Sequence, residues 1–182
     1  MTARAPSIVA VVGPSGAGKD TLIDAACAAD PRLYRARRVI TRPEAAGGEA
    51  FDGIPAAEFA TRLAAGEFAV HWDAHGLSYA IPRAEFAHDG TVIFNGSRAA
   101  LSQAAAVFPG LQVILVTAPV TVLAHRLAAR GRETETDIAA RLARSGFALP
   151  AGLWAPEVMN DSTPEEGLAR FLAAFQPDRA AR

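Results

Sequence analysis

The sequence predicts an α/β fold, a mostly parallel sheet covered by helices on both faces. Three observations carry that prediction. Short apolar runs rich in β-branched residues, SIVAVV and LQVILVT among them, alternate with segments of helical period. The first of these runs ends in a glycine-rich loop that opens a helix. Apolar residues are 51% of the 182-residue chain, enough for one domain with a sizeable core.

The elements follow in order. Ser7–Gly13 reads as a buried strand, short and ending at glycine. A helix from Gly18 to about Ala29 can place Leu22, Ala25, Ala26 and Ala29 on one face, and Asp30-Pro31 stops it. A strand lies near Arg37–Ile40, and Gly47-Gly48 marks a turn. Pro55–Ala65 reads as a short helix with Phe59 and Leu63 four apart, ended by Gly66. Glu67–Asp73 and Leu77–Ile81 read as two strands joined tightly through Ala74-His75-Gly76. Pro82–His88 can make a brief helix.

The second half is simpler. Thr91–Asn95 is a strand, and Ser97 can cap a helix that reaches about Phe108, before Pro109-Gly110. Leu111–Thr117 is the next buried strand. Pro119–Ala129 is a helix with Leu123 and Leu127 on one face. Thr134 can cap a helix reaching Gly146, with Ile138 and Leu142 on one face, and Trp154–Met159 reads as a short strand. Thr163-Pro164-Glu165-Glu166 is a capping box before a last helix to about Phe175. Residues 42–89 break the strand–helix rhythm and read as a small inserted lobe of a single domain, with core segments 7–41 and 90–176.

Charge narrows the function classes. Lys plus Arg is 18 and Asp plus Glu is 19, a net charge of −1, so the basic excess of a duplex-binding protein is missing. No run approaches the ~20 apolar residues of a membrane span. The single cysteine, Cys27, excludes an internal disulfide and reads as a small core residue. His71, His75, His88 and His125 lack metal-site spacing and read as structural. A cytoplasmic setting is the expectation. Lys19 is the only lysine, so all other cationic side chains are arginines or histidines.

GPSGAGKD, Gly13–Asp20, carries the chemistry. Gly13, Pro14, Ser15, Gly16, Ala17 and Gly18 form a loop whose backbone N–H groups can turn inward on phosphate oxygens. The helix N-terminus adds partial positive charge there, and Lys19 can reach the β- and γ-phosphates of ATP. Where Ser or Thr usually offers a hydroxyl to Mg²⁺, Asp20 stands instead, a hard oxygen ligand, with Thr21 next to it. Both are expected metal-side residues. Phosphoryl transfer needs charge stabilisation more than acid–base chemistry. Arg42 lies at the start of the lobe, and Arg38 four residues earlier in the strand region. Arg130 and Arg132 flank Gly131, and Arg141 follows, in a segment, about 130–146, suited to a helical lid. Arg126 and Arg144 read as solvated helix residues. No aspartate stands at a strand end as a second metal ligand. Asn95 ends its strand and can orient an acceptor, and Asp73, Trp72 and Tyr79 can line the acceptor pocket.

With these residues in place the chain resembles the guanylate-kinase-like P-loop kinases, from about Ile8 to Phe175. Within them it is most similar to the branch of ribose 1,5-bisphosphate phosphokinases, which serve phosphonate catabolism. The matching stretches are GPSGAGKD, VITR with Gly48-Glu49, GEF, HWDAHGLSYAIP, VIFNGSRA, RLAARGRE, IAARLAR and NDS. The resemblance implies a P-loop kinase fold with an acceptor-binding lobe and a lid. It implies that Arg42 and Tyr79 hold the acceptor phosphate, that Arg130 and Arg141 contact the transferred phosphoryl group, and that Asn160 and Asp161 lie by the adenine. Departures from guanylate kinases argue against a purine acceptor. Pro43–Gly48 has no arginine, the segment after Glu49 has no tyrosine, and Ile81 stands where a serine reads guanine. A phosphorylated sugar suits Asp73, Asn95, Ser97 and Arg98 better. The implied reaction is ATP plus ribose 1,5-bisphosphate giving ADP and 5-phosphoribosyl 1-diphosphate. The attacking phosphate oxygen is already anionic, so no strong base is required. Two alternatives stand beside it, a guanylate or other nucleoside-monophosphate kinase and a non-catalytic interaction module. Oligomeric state is not legible.

Overall fold

The computed structural model describes residues 6–43, 50–129 and 148–175. Among these, five parallel strands form the main sheet in the order β2-β7-β1-β8-β9. They are β1 (Ser7–Val12), β2 (Leu33–Arg35), β7 (Thr91–Asn95), β8 (Gln112–Thr117) and β9 (Glu157–Met159). A second sheet has the order β4-β3-β6-β5, from β3 (Arg38–Ile40), β4 (Phe51–Gly53), β5 (Phe68–Ala74) and β6 (Leu77–Pro82). It is mixed: β3 and β4 run parallel, while β6 is antiparallel to β3 and β5. The helices are α1 (Lys19–Ala29), α2 (Ala56–Ala64), α3 (Leu101–Val107), α4 (Val120–Ala129) and α5 (Pro164–Ala173).

The period of two along each strand sorts the core into two layers. Val9, Val11, Ile93, Ile114 and Val116 face one way and pack with α1, α4 and α5 through Leu22, Ile23, Leu123 and Phe171. Ile8, Ala10, Val12, Val92 and Phe94 face the other way, onto Leu101 and Ala104 of α3 and onto Trp72, Ile81 and Phe86 of the second sheet and the turn after it. The parallel sheet is therefore covered on both faces, as the sequence predicts. The second sheet serves as part of one cover.

Several expectations shift. β2 and β4 are three residues each, too short for an alternation signal. The strand expected near Arg37–Ile40, within the first core segment, pairs in the second sheet instead. The buried face of α1 is Leu22, Ile23 and Ala26, with Ala29 exposed, because Ile23 offers more apolar area to the sheet than a distal alanine. On α2, Phe59 is buried against Phe68, with ring centroids 5.0 Å apart, while Leu63 is exposed. Pro82–His88 yields only a short 3₁₀ turn at Arg83–Phe86. The hairpin between β5 and β6 forms on His75 and Gly76, both at positive φ, the primed-turn geometry that suits sheet twist. Thr163 caps α5 by accepting from the Glu166 amide at 3.3 Å. Cys27 is half-buried, and burial pushes its thiol pKa up, as for a small core residue. No helix of the described residues is long and apolar enough to cross a membrane. Gly47-Gly48, Glu49 and the segment 130–146 with its Thr134 cap lie outside the described residues.

Candidate active site

The loop from Gly13 to Gly18 connects the C-terminal end of β1 to α1, the edge at which parallel α/β sheets take ligands. Gly13 sits at φ 147°, and a Cβ there would lie 1.9 Å from the Val116 carbonyl oxygen, so no other residue fits against β8. Lys19 opens α1 and folds back: its Nζ donates to the carbonyls of Gly13 at 2.8 Å and Pro14 at 3.0 Å. The ammonium is thus already held over the loop.

Two further side chains brace that loop. Asn160, 8% exposed, donates from Nδ2 to the Ala17 carbonyl at 2.8 Å. A Cβ on Gly18 would come within 2.5 Å of that same Nδ2, so the brace and the helix start are fitted to each other. Arg126 of α4 donates from Nη1 to the Gly16 carbonyl at 3.3 Å. The expectation of a merely solvated Arg126 is corrected by this contact. It arises because α4 runs beside the loop and a long side chain can reach the loop carbonyls.

Asp20 is a node. Its Oδ1 accepts from Asn95 Nδ2 at 2.7 Å and from Arg35 Nη2 at 2.6 Å. Asn95 ends β7 and Arg35 ends β2, so the parallel register delivers both donors to one edge. Arg38 continues the chain, donating from Nη1 to the Asn95 carbonyl at 3.3 Å. Its guanidinium lies 5.4 Å from the Tyr79 ring centroid, and Tyr79 stacks on the buried Trp72 at 5.4 Å and 4° between planes. Burial pushes the Arg38 pKa down to about 10, opposed by the charge of Asp20. That value still leaves a cation at neutral pH. Arg35 and Arg42 act on Arg38 in the same direction as burial, so three guanidinium groups share this field. Guanidinium groups that share one field are suited to holding phosphate oxygens.

The other expected residues are placed less centrally. Arg42 lies 4.5 Å over the Phe51 ring, on the second sheet. Asp73, exposed near the end of β5, accepts from Ser78 Oγ at 2.7 Å. Ser97 accepts from the Ala99 amide at 3.3 Å, the capping role expected of it, and Arg98 is exposed. Thr21 is exposed on α1. Asp161 pairs with Arg170 of α5 at 2.9 Å. Arg130, Arg132, Arg141 and Arg144 lie outside the described residues. Arg35 is absent from the sequence-level candidates: with β2 unrecognised, nothing signalled that its side chain meets α1.

As to a divalent ion, the described residues hold no group of three or more His, Cys, Asp or Glu suited to a metal. A single carboxylate next to the phosphate loop nonetheless fits Mg²⁺ chemistry, in which phosphate oxygens and water supply the remaining ligands.

No family model matches the chain. The bifunctional ribose 1,5-bisphosphokinase-thymidine phosphorylase of Cupriavidus necator is 50% identical over 170 residues, 91% of this chain; the chain spans 28% of that longer protein. The ribose 1,5-bisphosphate phosphokinase PhnN of Ruegeria sp. is 48% identical over 177 residues, 95% of this chain and 93% of the relative. The PhnN of Agrobacterium fabrum is 45% identical over 93% of this chain and 96% of its own length. Among solved structures, guanylate kinase from Anaplasma phagocytophilum matches with a TM-score of 0.64 and 13% identity, over 94% of this chain and 88% of that one. A gluconokinase from Sinorhizobium meliloti matches at 0.56 and 18%, over 94% and 92%. These likenesses show the α/β fold of P-loop kinases.

Proposed function

The chain belongs to the family of ribose 1,5-bisphosphate phosphokinases, and on that premise we propose that it transfers the γ-phosphoryl group of ATP to ribose 1,5-bisphosphate. The products are ADP and 5-phosphoribosyl 1-diphosphate. The observation that carries this reading is the run of contacts from Asp20, the residue after the loop lysine, through Asn95 to Arg38 and Tyr79. It joins a phosphate-binding loop to a cationic, aromatic-backed surface on the lobe, which an anionic acceptor would occupy.

In this reading the loop amides and Lys19 cradle the donor phosphates. Asp20 is the residue that would hold Mg²⁺, which supplies charge neutralisation between the phosphates when bound. Thr21 is a second oxygen nearby in sequence, though exposed. Arg38 and Arg42 are the residues assigned to the acceptor phosphates, together with Tyr79, and Asn95, Ser97, Arg98 and Asp73 are the candidates for the sugar hydroxyls and a second phosphate. Lid arginines Arg130, Arg132 and Arg141 complete the set, and Asn160 and Asp161 border the donor. Asn160 acts mainly through the loop it braces, since it is buried and spent on the Ala17 carbonyl. The attacking phosphate oxygen is anionic, so no residue need remove a proton. Ile81 is fully buried in the core and offers no group to a base edge, which disfavours a purine acceptor. The role fits a cytoplasmic enzyme.

Initial rates with ribose 1,5-bisphosphate and with GMP, using γ-labelled ATP and identification of the labelled product, test the reading. We expect kcat/KM to favour the sugar bisphosphate by at least about 100-fold, the discrimination expected where a polar partner is missing. A preference for GMP would reverse the assignment. Failure to bind ATP in calorimetry would favour an interaction module.

A further inference from the structure

Arg35 stands outside the motifs of the phosphate loop, yet it meets the most unusual residue there. It is the last residue of β2, and 15% of its side chain is exposed. From Nη2 it donates to Asp20 Oδ1 at 2.6 Å, and from Nη1 it pairs with the Asp24 carboxylate one helical turn on. Asp24 is 61% exposed and by itself would suffice to anchor the guanidinium to α1. The shielded arm of the pair is the one to Asp20, where Asn95 Nδ2 converges on the same oxygen.

The position of Asp20 poses an electrostatic problem. A carboxylate directly after the loop lysine stands where the negative charge of a nucleotide arrives, and like charges at that range repel. The repulsion is greatest before a divalent ion is in place. Resting on the reading that this loop binds nucleotide, we propose that Arg35 is a positioning residue: it cancels the Asp20 charge and, with Asn95, fixes the orientation of the carboxylate, so that nucleotide can bind beside it. Arg35 itself does not touch the reacting atoms. Its effect on nucleotide binding passes through Asp20, beyond the bracing of β2 on α1 that its Asp24 pair also gives.

Binding of ADP, measured by calorimetry without acceptor, first in excess chelator and then with Mg²⁺, tests this. Arg35→Gln keeps hydrogen-bonding capacity but loses charge, and should weaken metal-free ADP binding by at least about tenfold. Arg35→Lys keeps the charge but not the two-armed fork, and should lose clearly less than Arg35→Gln. Arg35→Gln combined with Asp20→Asn should restore binding to within about threefold, because the charge that needed cancelling is gone. Adding Mg²⁺ should narrow the Arg35→Gln deficit. Asp20→Asn alone leaves Arg35 uncancelled and should tighten metal-free binding by at least about threefold. That variant tests the premise, the repulsion from the Asp20 charge itself, even if Arg35→Gln does not fold. Unchanged binding in Arg35→Gln, a deficit that persists in the double variant, or no tightening in Asp20→Asn would each overturn the proposal. An unaltered protein that binds no ADP at all would instead sink the kinase reading on which it rests.

Discussion

Lys19 shows how far a single side chain can be read ahead of the structure. Its place after the glycines predicts an ammonium over the loop, and its Nζ is found within 3.0 Å of two loop carbonyls. Lys19→Ala should lower turnover by at least about 100-fold, the scale of losing one preorganised charge at the transferred phosphoryl group. Urea denaturation should show a folded protein of nearly unaltered stability. Retained turnover would mean that the loop does not hold the donor. Asp20, Asn95, Arg38 and Tyr79 were also legible, because each sits at a motif or a strand end. Arg35 was not. Its significance depends on which face of β2 meets α1, and three residues carry no period from which to read a face.

At the level of elements, long periodic segments were legible and short ones were not. β1, β7 and β8, with α1 and α4, match the apolar runs and caps of the sequence to within a few residues. β2 and β4 exist because neighbouring strands lend them hydrogen-bond partners, a tertiary effect invisible in local pattern. Asn160 joins elements in a similar way, since the loop after β9 places it 2.8 Å from a carbonyl of the loop after β1. Asn160→Ala leaves that carbonyl without its partner and should cost about 1–3 kcal/mol. The expected result is a lower urea midpoint with an unchanged slope, accompanied by weaker nucleotide binding. An unaltered midpoint would show that the brace contributes nothing to the fold.

For the whole molecule, the arrangement of interest is the pair of sheets and the two passages between them. Residues 36–37 lead from β2 to β3, and residues 83–90 lead back from β6 to β7. Glu85 ties the two passages together: its Oε2 accepts from Tyr34 Oη at 2.9 Å and from the Arg37 amide at 2.6 Å. Tyr34 also stacks on His88 at 3.4 Å between centroids. Burial and the Glu85 bond hold the Tyr34 hydroxyl protonated, its pKa raised to about 12. Glu85→Ala should loosen this tie. Hydrogen exchange should quicken by at least about fivefold at residues 36–38 and 83–88, while β1 and β8 stay protected. Equal loosening of the main sheet would mean that Glu85 supports the core and not the junction. This junction was not legible in the sequence, because Tyr34 and Glu85 are 51 positions apart and neither belongs to a motif.

The solitary lysine has a practical consequence. Since the remaining long cationic side chains are guanidinium groups, an amine-acylating reagent meets only one ε-amine along the chain, at the mouth of the phosphate loop. Protection of the acylated peptide by added nucleotide, followed by mass spectrometry, therefore tests whether the loop holds the donor, without a coupled assay and without any engineered probe.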